Sequence, residues 1–215
     1  MTGPSTKAHE MPANPTTKKG LRTRGKILEA AATVFARDGY VDARMLDIAS
    51  EAGLSTGGLY RYFDNKTEVF AALIGDIHEG FFEQSGHTGR KLREDPLAAL
   101  TESNLGYVRY YYQHRQVMRV FIEAASIERR FGEILREMRV RHVDRFTATY
   151  TAMTQHDTIH GVPVRVAAEA MACMVEQCCY VWFAQEEDNA VRTSVDDAVR
   201  ITSQAWYATM FASVP

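Results

Sequence analysis

The chain has 215 residues, 46% hydrophobic and 24% charged, enough apolar material for one compact unit or for a small domain joined to a larger one. Its formal net charge of -2 does not announce a nucleic-acid partner. No run approaches the roughly 18 uninterrupted apolar residues of a membrane span, and the N-terminus lacks the apolar core of a signal peptide, so the expected location is the cytoplasm.

Residues 1–20 carry Pro4, Pro12 and Pro15 among glycines, serines and threonines without hydrophobic period, and are expected to be a disordered arm. Lys7, Lys18, Lys19, Arg22, Arg24 and Lys26 stand against Glu10 alone ahead of Ile27, so the arm is basic and suited to a phosphate backbone or to solvent. Ile27, Leu28, Ala31, Val34 and Phe35 then recur at three-to-four spacing and predict a first helix that Gly39 stops. A second runs from about Met45 to Ala52 and stops at Gly53. A third follows Ser55, an N-cap residue, and ends near Phe63; Asp64 or Asn65 caps a fourth bearing Val69, Leu73 and Ile77. Gly86, Gly89 and Pro96 bracket a polar stretch, and further helices are predicted over 97–114, 116–126, 128–155, 163–187 and 194–212, with Gly161 to Pro163 and Asp188-Asn189 as breaks. The expected fold is all-α with about nine helices. A disordered arm (1–20) precedes a three-helix helix-turn-helix DNA-binding domain (21–66) and a helical effector-binding and dimerisation domain (67–215).

Between Met45 and Phe63 the requirements of a helix-turn-helix are met in register. Ala49 is small where the helices cross, Gly53 permits a positive φ at the turn, and Ile48, Leu54 and Leu59 are apolar where the two helices face each other. Such a recognition helix enters the major groove by its N-terminal end, which brings Thr56, Gly57, Gly58 and Arg61 toward base edges. Arg61 is suited to guanine O6 and N7. Tyr60 and Tyr62 carry hydroxyls for phosphate oxygens, and Lys66 adds charge at the start of the fourth helix.

From Arg24 to Phe70 the chain resembles the tetracycline-repressor (TetR/AcrR) family. The resemblance rests on Ile27-Leu28, Ala30-Ala31, Phe35, Gly39-Tyr40, Ile48-Ala49, Ala52 to Ser55, Gly57, Leu59-Tyr60, Tyr62-Phe63 and Lys66. It implies that Tyr60, Tyr62 and Lys66 contact phosphate, that Thr56 to Arg61 read sequence, and that the last two helices build a four-helix dimer interface. One departure is the absence of the usual Thr or Ser ahead of the second helix. Asp42 is expected to cap that helix instead, and Arg44 to supply the phosphate contact.

In the C-terminal part, two helices carry more apolar surface than one face can use. Val164, Ala168, Met171, Val175, Cys178 and Trp182 form one stripe, and Val166, Ala170, Cys173, Gln177, Tyr180 and Ala184 a second. Val195, Val199, Thr202, Trp206 and Met210 are matched by Ala198, Ile201, Ala205, Thr209 and Ala212. A homodimer through 163–212 is therefore expected. Asn104, Tyr107, Tyr111, Met118, Phe121, Cys178 and Trp182 are the candidate lining of a pocket for a small apolar effector.

Cys173, Cys178 and Cys179 lack metal-site spacing and read as core thiols. No hydrolase, nucleotide-binding or metalloprotease motif occurs, so no enzyme activity, metal or cofactor is expected. The expected function is that of a repressor that binds palindromic double-stranded operator DNA as a homodimer and is released by its effector. The alternatives are an activator and a ligand-independent or architectural DNA-binding protein.

Overall fold

The computed structural model describes residues 17–86, 89–185 and 191–212. Nearly all of the expected arm, residues 1–16, and the Asp188-Asn189 break lie outside that set. Nine α-helices, one π-helical turn and a two-stranded ribbon are present among the described residues. The chain divides into two compact units within its fourth helix, between Gly75 and Asp76, rather than at the start of that helix after residue 66.

In the first unit, α1 (Lys18–Asp42) begins inside the segment expected to be irregular, because Thr17 caps it by accepting the Gly20 N–H at 3.1 Å. Gly39, at φ +73°, interrupts the helical backbone where the sequence predicts a stop. Helix α2 (Met45–Glu51), α3 (Thr56–Tyr60) and the first part of α4 (Lys66–Gln84) complete the unit. Its core consists of Ile27, Val34, Phe35, Ile48, Leu59 and Phe70, all without exposure. The Phe70 ring lies 4.5 Å from Phe35 and 5.3 Å from Tyr40, distances at which tilted aromatic rings attract.

The second unit contains the rest of α4, α5 (Gly89–Glu94), α6 (Pro96–Ile127), α7 (Arg129–Thr154), α8 (Val164–Cys179), the π turn Tyr180–Ala184 and α9 (Val195–Met210). Helix α6 merges the two expected helices over 97–126. The polar run from Gln113 to Gln116 suggested a break, yet it contains no glycine or proline and continues the turn. Helix α5 occupies a stretch expected to be irregular. The ribbon pairs β1 (Thr158–Ile159) with β2 (Val162–Pro163) around His160 and Gly161, both at positive φ as a two-residue hairpin turn requires.

Close packing in this unit depends on a glycine. A Cβ on Gly106 would come within 1.8 Å of the Gln84 carbonyl, so α6 passes the end of α4 backbone against backbone. The exposed carbonyls there are met by Arg145 from α7, which donates to Phe82 O at 2.6 Å and to Ser85 O at 2.8 Å. Tyr111, Phe121, Phe131 and Tyr150 fill the interior, and the Tyr150 hydroxyl donates to Met210 O at 3.0 Å.

Candidate nucleic-acid interface and effector cavity

The turn between α2 and α3 is built from backbone hydrogen bonds. Leu54 N–H reaches Ala49 O at 2.8 Å and Gly53 N–H reaches Ser50 O at 3.1 Å, a closure that holds residue 53 at φ +66° and so favours glycine. Ser55 caps α3 by accepting the Gly58 N–H at 3.1 Å, and Leu59 anchors that helix in the core. What remains outward is the surface expected to meet DNA: Gly57, Tyr60 and Arg61 are exposed, while Thr56, Gly58 and Tyr62 are half-buried. Arg44 is exposed at the N-cap position of α2. No side chain caps that helix; Asp42 ends α1 instead of serving α2, and the acidic residue in the first turn of α2 is Asp47.

Lys66 is placed differently from the expectation. Its ammonium donates to the carbonyls of Tyr40 at 2.8 Å, Val41 at 2.5 Å and Ala43 at 3.2 Å, and lies 5.0 Å from the centre of the Tyr40 ring. An ammonium has three donors, and all three are directed at carbonyls just beyond the Gly39 break. In this arrangement the lysine braces the α1–α2 connection and has no donor left for phosphate.

In the second unit, Phe81, Tyr107, Tyr111, Met118 and Ile122 form one side of a cavity of about 250 Å³. Leu135, Met138, Arg139 and His142 of α7 and Cys173, Glu176, Gln177 and Tyr180 complete it. A smaller space of about 70 Å³ lies beside Asn104, Tyr107, Phe146 and Trp206. Tyr107 borders both, whereas Asn104 borders only the smaller and is spent on packing: its Nδ2 donates to Ser203 Oγ at 3.0 Å, tying α6 to α9.

Three expected lining residues are elsewhere. Phe121 is fully buried with its ring 6.4 Å from Phe131, because the cavity face of α6 continues from Met118 to Ile122, one residue and about 100° further round. Cys178 is turned away for the same reason, since Cys173 and Gln177 carry the lining on α8, and Trp182 sits half-exposed in the π turn. Part of the small-residue stripe assigned to a subunit interface therefore lines the cavity.

The cavity wall holds one ion pair. Arg139 Nη2 and Nε approach Glu176 Oε2 at 2.7 and 2.9 Å; burial pushes the Glu176 carboxyl up, and Arg139 opposes that shift. His142 Nδ1 lies 2.9 Å from Met138 O, and burial drives the imidazole down to about 4. Arg139, His142 and Glu176 were missed because a charged residue in a helical sequence ordinarily marks the solvent side. Cys179 is buried and its thiol pushed up, as a core thiol would be. Among the described residues no His, Cys, Asp or Glu cluster could hold a metal ion, and no helix is long and apolar enough to cross a membrane.

Residues 27–73 match the family model described as bacterial regulatory proteins, tetR family. Over this segment the chain is similar to tetR-family regulators. It is 32% identical over 85 residues to the HTH-type transcriptional regulator TtgR of Pseudomonas putida, and that stretch covers 40% of each protein. It is 29% identical over 99 residues to the HTH-type transcriptional repressor NicS of Pseudomonas putida, covering 46% of each. The chain thus matches these curated relatives over less than half of their length. The fold likeness extends further: a TetR-like transcriptional regulator from Rhodococcus sp. RHA1 aligns with a TM-score of 0.66 at 24% identity, over 89% of this chain and 97% of that one. This places the helical second unit, beyond the family model, within the same fold.

The faces expected to pair in a tetR-family dimer are partly accounted for within one chain. Val164, Ala168, Val175, Val199, Thr202, Trp206 and Met210 are buried. On the opposite sides, Val166 of α8 is 53% exposed and Ile201 of α9 is 58% exposed, large apolar side chains left toward solvent.

Proposed function

We propose that this chain is a tetR-family transcriptional regulator, acting as a repressor, that binds a palindromic operator as a homodimer and leaves it when an apolar effector occupies the second unit. The observation that carries the reading is the α2–α3 turn, closed around Gly53, which offers Gly57, Tyr60 and Arg61 to solvent while Leu59 holds α3 in the core. In this reading Thr56, Gly57, Gly58 and Arg61 face base edges in the major groove, and Arg44, Tyr60 and Tyr62 approach phosphates. Lys66 acts at one remove, by holding the connection between α1 and α2. The exposed Val166 and Ile201 support pairing through residues 163–212.

The cavity of about 250 Å³ favours ligand response over a ligand-independent DNA binder, whose second unit would be solid. The test is selection of duplexes from a random-sequence pool by the purified chain. Enrichment of an inverted repeat with half-sites about one helical turn apart is the expected result. Recovery of unenriched DNA, or of none, would overturn the proposal.

A further inference from the structure

We propose that the larger cavity selects uncharged aromatic molecules of one or two rings that carry a hydroxyl group, phenols and aryl alcohols, as its ligands. This deepens the effector reading above and rests on it.

Size and shape come first. An apolar cavity of roughly 150 Å³ is known to hold benzene, and about 250 Å³ leaves room for a second fused ring. The rings of Phe81, Tyr107, Tyr111 and Tyr180 border the space, so flat aromatic ligands find stacking and edge contacts.

Two buried polar atoms, on side chains that line the cavity, then set the functional group. The Tyr111 hydroxyl and His142 Nε2 are both buried, and neither has a hydrogen-bond partner. Burying a polar atom unpaired is costly, so an occupant that pairs with it is favoured. The tautomer of His142 follows from its other nitrogen: Met138 O can only accept, so Nδ1 carries the hydrogen. With the ring held neutral by burial, Nε2 is a bare acceptor that requires a donor from the ligand. The Tyr111 hydroxyl can donate in return. A hydroxyl is the smallest group that donates and accepts through one atom.

Charge is selected against. The only ionisable side chains of the wall that are charged at neutral pH are Arg139 and Glu176, and they neutralise each other at 2.7 Å. An anionic ligand would enter a desolvated space without a free counter-charge unless it broke that pair.

The experiment measures Kd by calorimetry on the full-length protein with 1-naphthol, naphthalene, 1-methoxynaphthalene and 1-naphthoate at pH 7.5. The expected order places 1-naphthol about tenfold tighter than naphthalene or its methyl ether, as one or two net hydrogen bonds provide, with 1-naphthoate weakest. In Tyr111→Phe, which deletes an unpaired hydroxyl and preserves the ring, and in His142→Phe, the preference for naphthol over its ether should shrink to about threefold or less. Equal binding of naphthol and ether would overturn the hydroxyl selection while leaving the cavity a ligand site. Tightest binding by naphthoate would overturn the neutrality argument. Failure of all four compounds to bind would overturn both this proposal and the reading of the cavity as an effector site, and operator binding, measured separately, would be untouched.

Discussion

Replacing Lys66 with methionine keeps the apolar stem and removes three donors, so it isolates what the ammonium contributes. Two of its hydrogen bonds, to Tyr40 O at 2.8 Å and Ala43 O at 3.2 Å, are partly shielded from water, and the third, to Val41 O, is exposed. A hydrogen bond to a charged group is worth about 1.5 kcal/mol net at the lower end. Counting the two shielded bonds at that value, neglecting the exposed one, and allowing the freed carbonyls some access to water gives a loss of about 2 to 3 kcal/mol. Urea unfolding of Lys66→Met followed by circular dichroism should show that loss with an unchanged dependence on denaturant. Operator affinity should fall only as far as the first unit is destabilised, and the salt dependence of binding should stay as in the parent protein. Stability within about 0.5 kcal/mol of the parent, joined to a salt slope reduced by roughly 0.9 for each lost phosphate contact, would refute the brace and restore the lysine to the DNA backbone.

Three further outcomes follow from individual groups. Because burial holds His142 at about 4 while the unfolded chain protonates near 6.5, the unfolded state binds the extra proton between those values. Stability contributed by the neutral ring is therefore complete above pH 6.5 and falls as pH drops toward 4, by about 3 kcal/mol in total; unfolding at pH 7.5 and 4.5 should show most of that difference in the parent and a much smaller one in His142→Phe. Gly53→Ala should cost about 1 kcal/mol, since an L residue is strained at φ +66° although its Cβ meets no atom within 4 Å, and Gly53→Asn should cost less; thermal melts compare the two. Arg61→Ala should weaken operator binding by about 1 to 3 kcal/mol and relax preference at one base pair per half-site, whereas Arg44→Ala should weaken all sequences alike, both read by fluorescence anisotropy on matched and substituted duplexes.

The helix-turn-helix was legible because its constraints are local. Gly53, Ser55 and the spacing of Ile48, Leu54 and Leu59 each fix backbone or packing within a few residues, and the structure uses Gly53, Ser55, Ile48 and Leu59 in those roles. The cavity was legible only in part. Tyr107, Tyr111 and Met118 were reachable from the face of α6, but Phe121 and Cys178 turned elsewhere because a one-residue error on a helix rotates a side chain by about 100°, and Trp182 falls in the π turn, two residues past the lining Tyr180. Lys66 shows a different limit. Its position at the start of α4 was clear, but the carbonyls it meets lie 23 to 26 residues earlier, exposed by the break at Gly39, and no local pattern announces that meeting.

Native mass spectrometry of the chain with a duplex enriched from the random pool tests the central proposal most directly, because it reads binding and stoichiometry together. The proposed regulator gives a complex of two chains on one inverted-repeat duplex, lost when either half-site is scrambled or when Arg61 is replaced by alanine. Free duplex alongside unbound chains, or a single chain per duplex that tolerates a scrambled half-site, would contradict it.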